Sequence, residues 1–140
     1  SIDREKLLER YMNVSLPLKK IKVTSPFGMR KDPFTGKRKM HNGIDLYARN
    51  DEVYAMFPGM VKKVGYDKRS GNYITLQHGD YTVSYCHLSR VIIKEKTPVL
   101  AGDVVGITGN TGRSTGEHLH ITLKVDSKYI NPQLLIIIAD

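Results

Sequence analysis

Gly109-Asn110-Thr111-Gly112-Arg113-Ser114-Thr115-Gly116-Glu117-His118-Leu119-His120-Ile121-Thr122-Leu123-Lys124-Val125 is a glycine-punctuated segment running into an alternating one. Three glycines interleaved with Asn, Thr and Ser exclude both helix and strand for residues 109–116. The alternation that follows predicts a strand over 118–125. Residues two apart on a strand share a face, so His118 and His120 project together, with Thr122 next along. A buried strand face normally carries Val or Ile at such positions, and two adjacent imidazoles are costly there unless a metal or an acid engages them.

The same texture extends outward. Glycine recurs at 28, 36, 43, 59, 65, 71, 79, 102 and 106 between short alternating runs, which predicts an all-β domain. The clearest strands are 59–66, 73–78, 81–88, 104–108 and 118–125. Asp32-Pro33-Phe34-Thr35-Gly36 reads as a turn. Asn131-Pro132 places a capping Asn before a Pro at the first position of a short terminal helical turn. At the other end, Leu7, Leu8, Tyr11 and Met12 share one face of an amphipathic helix over residues 2–12, which Pro17 stops. The chain therefore divides into a helical, basic arm (residues 1–20) and a β domain (residues 21–140).

Composition narrows the function. The 140 residues suit one core. The longest apolar run, Leu134 to Ala139, is far short of the roughly 20 residues of a helical membrane span. A single cysteine, Cys86, excludes a disulfide framework and a multi-thiolate zinc site. The N-terminus has no signal-peptide pattern, and Ser1 is compatible with a mature or trimmed start. The net charge of +8 is uneven: residues 1–40 hold eleven Lys/Arg against four Asp/Glu. Polyanions are compatible partners, but no aromatic stacking motif is interleaved with the basic run, so nucleic acid is not expected.

His41-Asn42-Gly43-Ile44-Asp45 adds the second half of a site. A spacing of four keeps parity on a strand, so His41 and Asp45 can face one point, and Gly43 disfavours a helix. Two imidazoles and one carboxylate with an open position form the three-ligand set of a catalytic zinc site. The facial triad of non-haem iron oxygenases uses the same donor types, usually with His and acid two residues apart rather than four. In Tyr81-Thr82-Val83-Ser84-Tyr85-Cys86-His87-Leu88, alternation places His87 on the face of Val83 and Tyr85 and places Cys86 opposite. Cys86 reads as a small buried hydrophobe. His78, in Gln77-His78-Gly79-Asp80, reads as a structural histidine at a hairpin turn.

Three blocks in register carry a resemblance: Ser25 to Pro33 with Arg30, followed by His41-Asn42-Gly43-Ile44-Asp45; Tyr85-Cys86-His87-Leu88; and Gly109 through His120. From about Ile21 to Leu135 the chain resembles the lysostaphin/LytM-type zinc metallopeptidases, which cleave peptide bonds in bacterial peptidoglycan. The resemblance implies a mainly antiparallel, two-sheet fold with an open groove. It implies one zinc ion held by His41, Asp45 and His120, with His87 and His118 as non-ligand catalytic histidines and Arg30 close to the groove. It implies an endopeptidase acting on peptidoglycan in the cell envelope, periplasmic or extracellular, with any signal or anchor outside this sequence; a monomer is expected. Some relatives have lost ligands and only activate other hydrolases; a non-catalytic wall-binding or activating module is thus the alternative, and this chain keeps every ligand position.

The charge asymmetry yields an expectation about the arm. If residues 1–40 hold the protein on anionic wall, attraction screened over about 8 Å at physiological ionic strength makes binding to wall sacs fall steeply with salt. Neutralising Lys19, Lys20, Lys37, Arg38 and Lys39 should weaken sac binding and leave turnover of a small soluble peptide nearly unchanged; a pull-down with sacs across a salt series measures it.

Overall fold

A computed structural model describes residues 13–139, so the expected helix over 2–12 lies outside the described residues. The alternation of the 118–125 segment is realised throughout. Leu119, Ile121, Leu123 and Val125 are buried, while His118, His120, Thr122 and Lys124 are only half-buried on the opposite face. One face of this strand is core and the other is the floor of a groove.

The strands in chain order are β1 (Val23–Ser25), β2 (Gly28–Lys31), β3 (Arg38–His41), β4 (Gly43–Tyr47), β5 (Glu52–Tyr54) and β6 (Gly59–Asp67). They continue with β7 (Gly71–His78), β8 (Tyr81–Val91), β9 (Pro98–Val99), β10 (Val104–Thr108), β11 (His118–Val125) and β12 (Lys128–Ile130), then one helix, α1 (Gln133–Ala139). All pairings are antiparallel, and the main path runs β1-β4-β11-β8-β7-β6-β9. The β2–β3 hairpin forms a separate two-stranded sheet beside it. The mostly antiparallel, open-sheet architecture expected from the sequence is present.

β8 is the strand that joins the layers. Its first half pairs with β11 and β7, and its far end, from Leu88 to Val91, pairs with β10, which in turn pairs with β5. The change of partner occurs at a bulge. Ile74 faces Tyr85 and Asn72 faces Leu88, so Cys86 and His87 together oppose the single residue Tyr73. His87 takes the left-handed conformation, φ 63°, uncommon for a residue with a Cβ. A bulge bends its strand and re-aims a side chain. The face expected for His87 is therefore corrected: Val83 and Tyr85 point into the core, and His87 joins Ser84 and Cys86 on the groove side.

The core beneath the sheet is continuous. Ile44 and Leu46 of β4, Ile74 and Leu76 of β7, and Val83 and Tyr85 of β8 join the apolar side of β11. Val53, Ala55, Met56, Phe57 and Val105 belong to the same cluster, as do Leu135 and Ile136 of α1. Fully burying each such aliphatic side chain stabilises by roughly 1.5–3 kcal/mol. Leu18 is also buried in this core, Ser15 N–H bonds the Met56 carbonyl and Tyr54 N–H bonds the Pro17 carbonyl, so the chain just ahead of β1 packs on the domain. Asn131 caps α1 as expected, its Oδ1 accepting from Gln133 N–H at 3.0 Å, although the helix runs on for two turns through the apolar residues 134–139.

Tyr85 is the largest fully buried side chain, and its hydroxyl accepts the Met56 N–H at 2.8 Å. Burial raises its pKa and keeps the phenol neutral. Tyr85→Phe leaves a buried N–H without a partner and should cost about 1–3 kcal/mol of stability, read from the urea unfolding midpoint at unchanged slope.

Candidate active site

The groove floor is the polar face of the main sheet, and its walls are the β2–β3 hairpin and the 112–117 loop; together they enclose about 980 Å³. The decisive alignment is lateral. Asp45 on β4 is the cross-strand partner of His120 on β11, and His120 is the partner of Cys86 on β8. Gly43 makes this closeness possible. A Cβ there would overlap the Ile121 carbonyl oxygen and lie 3.0 Å from His120 Cε1. The glycine of His-Asn-Gly-Ile-Asp thus lets β4 approach β11 at the point where the carboxylate must meet the imidazole.

Asp45 is the hub. Its Oδ1 accepts from His120 Nδ1 at 2.7 Å and lies 3.5 Å from His41 Nε2 and 3.6 Å from His118 Nε2, while Arg30 reaches Oδ2 at 4.0 Å. Burial opposes ionisation of Asp45, but the contacts from His120 and His41 outweigh it and hold the carboxyl well below the usual carboxylate range. The donor atoms of His41, Asp45 and His120 all lie within 4.8 Å of one another, a group that could hold a metal ion. Two imidazoles and a carboxylate converging in this way fit the donor chemistry of zinc.

The remaining ring nitrogens are fixed by backbone carbonyls. A carbonyl only accepts, so the nitrogen facing it carries the proton. His41 Nδ1–H donates to Pro26 O at 2.9 Å, His87 Nδ1–H to Thr111 O at 2.7 Å and His118 Nδ1–H to Gly116 O at 2.8 Å. All three keep the Nε2 lone pair available. Ring contacts link the four imidazoles in a chain, His41 with His120 at 5.1 Å, His120 with His87 at 5.9 Å and His87 with His118 at 4.9 Å between centroids. Burial lowers the pKa of His87, and the neighbouring His118 and His120 add to this against the Thr111 hydrogen bond, so the ring is neutral at pH 7. Cys86 is pushed up to about 12, chiefly by burial, and is an inert thiol.

His41, Asp45, His87, His118 and His120 are thus brought together at one place, and Arg30 joins them. His78 stays apart, with Nδ1 on the Pro58 carbonyl at 2.7 Å and its ring against Phe57, a structural role as expected. Several supporting residues carried no signal in the sequence. Thr111 serves His87 through its carbonyl, while its hydroxyl donates to the Leu88 carbonyl and accepts from Asn72 N–H. Ser114 Oγ lies 3.2 Å from His118 Nδ1. Glu117 bonds Asn50 N–H and Thr108, anchoring the end of the glycine-rich loop. The partners of Thr111 lie 23 to 39 residues away and Asn50 lies 67 from Glu117, whereas Thr108 is nine from Glu117 and Ser114 and Gly116 are four and two from His118, so only these last three were near in sequence. Asp32–Gly36 forms the expected turn, with Asp32 Oδ1 accepting from Phe34 and Thr35 N–H. Lys39, grouped by sequence with the arm's wall-facing charge, instead lines the groove and pairs with Asp32 at 3.9 Å.

An open groove in an antiparallel sheet, floored by a His–Asp–His cluster able to hold a metal, is the class of domain these features define. The chain belongs to peptidase family M23, whose model matches residues 39–132. It is 37% identical over 115 residues to an uncharacterized metalloprotease of Haemophilus influenzae, covering 79% of this chain and 24% of that protein. It is 37% identical over 120 residues to the peptidoglycan DD-endopeptidase ShyC of Vibrio cholerae, covering 84% of this chain and 28% of that protein. Among solved structures, a zinc-containing peptidase from Vibrio cholerae superposes with a TM-score of 0.79 at 31% identity, over 86% of this chain and 39% of that one. The chain spans about a quarter to a third of the length of these curated relatives.

Gly43 supplies a test of how the cluster is assembled. Gly43→Ala should force β4 from β11, lowering stability by about 1–3 kcal/mol and abolishing tight metal uptake. Gly116→Ala, where an added Cβ meets nothing within 4 Å, should leave both unchanged. Thermal unfolding and elemental analysis of the two variants check this.

Proposed function

We propose that residues 21–140 form the catalytic domain of a zinc-dependent endopeptidase that hydrolyses peptide bonds of bacterial peptidoglycan in the cell envelope. One observation carries the reading: three potential metal ligands converge at the floor of an open groove beside two further imidazoles whose Nε2 atoms carry free lone pairs. The metalloprotease and DD-endopeptidase names of the relatives support the chemistry and the substrate class.

In this reading His41, Asp45 and His120 hold the zinc ion, which supplies Lewis acidity that acidifies a water and polarises the scissile carbonyl. His118, its tautomer set by Gly116, takes the water's proton at Nε2 and returns it to the leaving amine. His87, aimed by the bulge and by Thr111, shares the proton through its Nε2 lone pair, and can donate to the developing oxyanion only once Nε2 has taken that proton. Arg30 holds the outer oxygen of Asp45 and so orients the carboxylate. The open groove admits an extended peptide lying across the strands.

The division of labour predicts separable losses. His120→Ala should lose both zinc and activity. His118→Ala and His87→Ala should retain most of the zinc and lose about 10²–10⁴ in turnover, the scale of general acid–base catalysis. Zinc per chain by elemental analysis, with muropeptide release from wall sacs by mass spectrometry, measures both quantities. Wall binding with no release by the zinc-loaded parent would instead favour a non-catalytic module.

A further inference from the structure

We infer that the groove floor beside the imidazole cluster carries a carboxylate-binding subsite, formed by Lys62, Lys63 and Lys124 around the hydroxyls of Thr75, Ser84 and Thr122. It rests on the peptidase reading for its ligand, an acidic peptide.

The register defines the place. The row through the cluster runs Asp45, His120, Cys86, with Tyr73 opposite the bulge. The next row on the same face runs Thr122, Ser84, Thr75, Lys63, and every neighbouring pair in it is a cross-strand partner. Two residues along a strand separate the rows, about 7 Å. Thr75 Oγ1 and Ser84 Oγ are hydrogen-bonded at 2.8 Å, leaving hydroxyl capacity directed over the floor. Lys124 stands two residues beyond Thr122 on the same face, its Nζ 4.7 Å from the Tyr129 ring centre.

A second bulge concentrates the charge. Val61 faces Leu76 and Lys63 faces Thr75, so Lys62 is the extra residue of β6. Val61 remains in the core while Lys62 and Lys63 both line the groove. Two neighbouring lysines on one face repel one another unless an anion lies between them. The groove's acids are committed elsewhere. Asp45 belongs to the cluster, Asp32 and Asp67 accept from backbone N–H groups of their own turns, and Glu117 anchors Asn50 and Thr108. Among the described residues, neither Lys62 nor Lys63 forms an ion pair with any acidic side chain. Cations with hydroxyl donors between them suit a carboxylate. Allowing for the reach of the lysine side chains, the bound group lies roughly 10 Å from the cluster, about three residues of extended peptide.

A peptidoglycan stem peptide carries three such groups: the α-carboxylate of D-glutamate, the side-chain carboxylate of diaminopimelate and the C-terminal carboxylate. The probes are the tetrapeptide L-Ala-γ-D-Glu-meso-diaminopimelate-D-Ala and its three singly amidated forms. Each is titrated calorimetrically into the zinc-loaded parent, into Lys62→Gln/Lys63→Gln and into Lys124→Gln. One amidation should weaken binding to the parent about tenfold, the scale of a charge-assisted hydrogen bond. The same change should alter binding to the double variant by less than about twofold, the scale of an exposed ion pair. The amidation that acts identifies the carboxylate. Equal affinity of the parent for all four peptides, including no measurable binding, overturns the subsite, as does a preference that survives in both variants. Muropeptide release from wall sacs by the same zinc-loaded parent tests the peptidase reading separately, since the tetrapeptide lacks a cross-link: carboxylate preference without release from sacs would overturn that reading and leave the subsite standing.

Discussion

The register between β4 and β11 is the constraint on which the site depends. A strand alternates faces with a period of two, so a slip of one residue would turn His118 and His120 into the core and Leu119, Ile121 and Leu123 into the groove. Burying imidazoles while exposing three aliphatic side chains is opposed on both counts. The hydrophobic effect on one face of β11 therefore holds the chemistry on the other. Gly43 completes the constraint, because only a residue without Cβ lets Asp45 sit directly opposite His120.

From this alignment the electrostatics follow. Asp45 gathers His41, His118, His120 and Arg30 about one carboxylate, and backbone carbonyls then settle which nitrogen of each outer ring holds its proton. The proton shared between Asp45 and His120 is one that a bound cation would replace, since metal ligands must give up their protons. His41 is braced on its far side by the Pro26 carbonyl, as metal-binding imidazoles generally are by a second partner.

The walls are joined as well as the floor. Arg113 of the glycine-rich loop stacks over Phe34 at the tip of the β2–β3 hairpin, 4.3 Å to the ring centre, so the two segments that flank the cluster support each other. Gly71 and Gly112 meet backbone to backbone, both at positive φ, which brings the loop down on β7 and delivers the Thr111 carbonyl to His87. The glycines of the loop serve close approach as much as turning.

What the sequence by itself determined is what a few neighbouring residues encode. The alternation of 118–125, the loop 109–116, the Asp32 turn and the Asn131 cap were all legible, because each depends on side-chain period or on a bond to a residue two or three away. The likeness of three motifs to a known family added the fold and the candidate residues. The short strands β1, β2, β5, β9 and β12 were not legible; two to four residues hold too little pattern, and the partners of β1, β5 and β9 lie far along the chain. Tertiary structure alone decided the face of His87. Simple alternation sends it to the core, but its backbone N–H meets the Ser70 carbonyl and its ring meets the Thr111 carbonyl, and these distant partners hold a left-handed residue in a bulge that no local pattern specifies. The pairing of Lys62 with Lys63 over the groove was decided in the same way, by an extra residue in a strand whose register is set by the core beneath it.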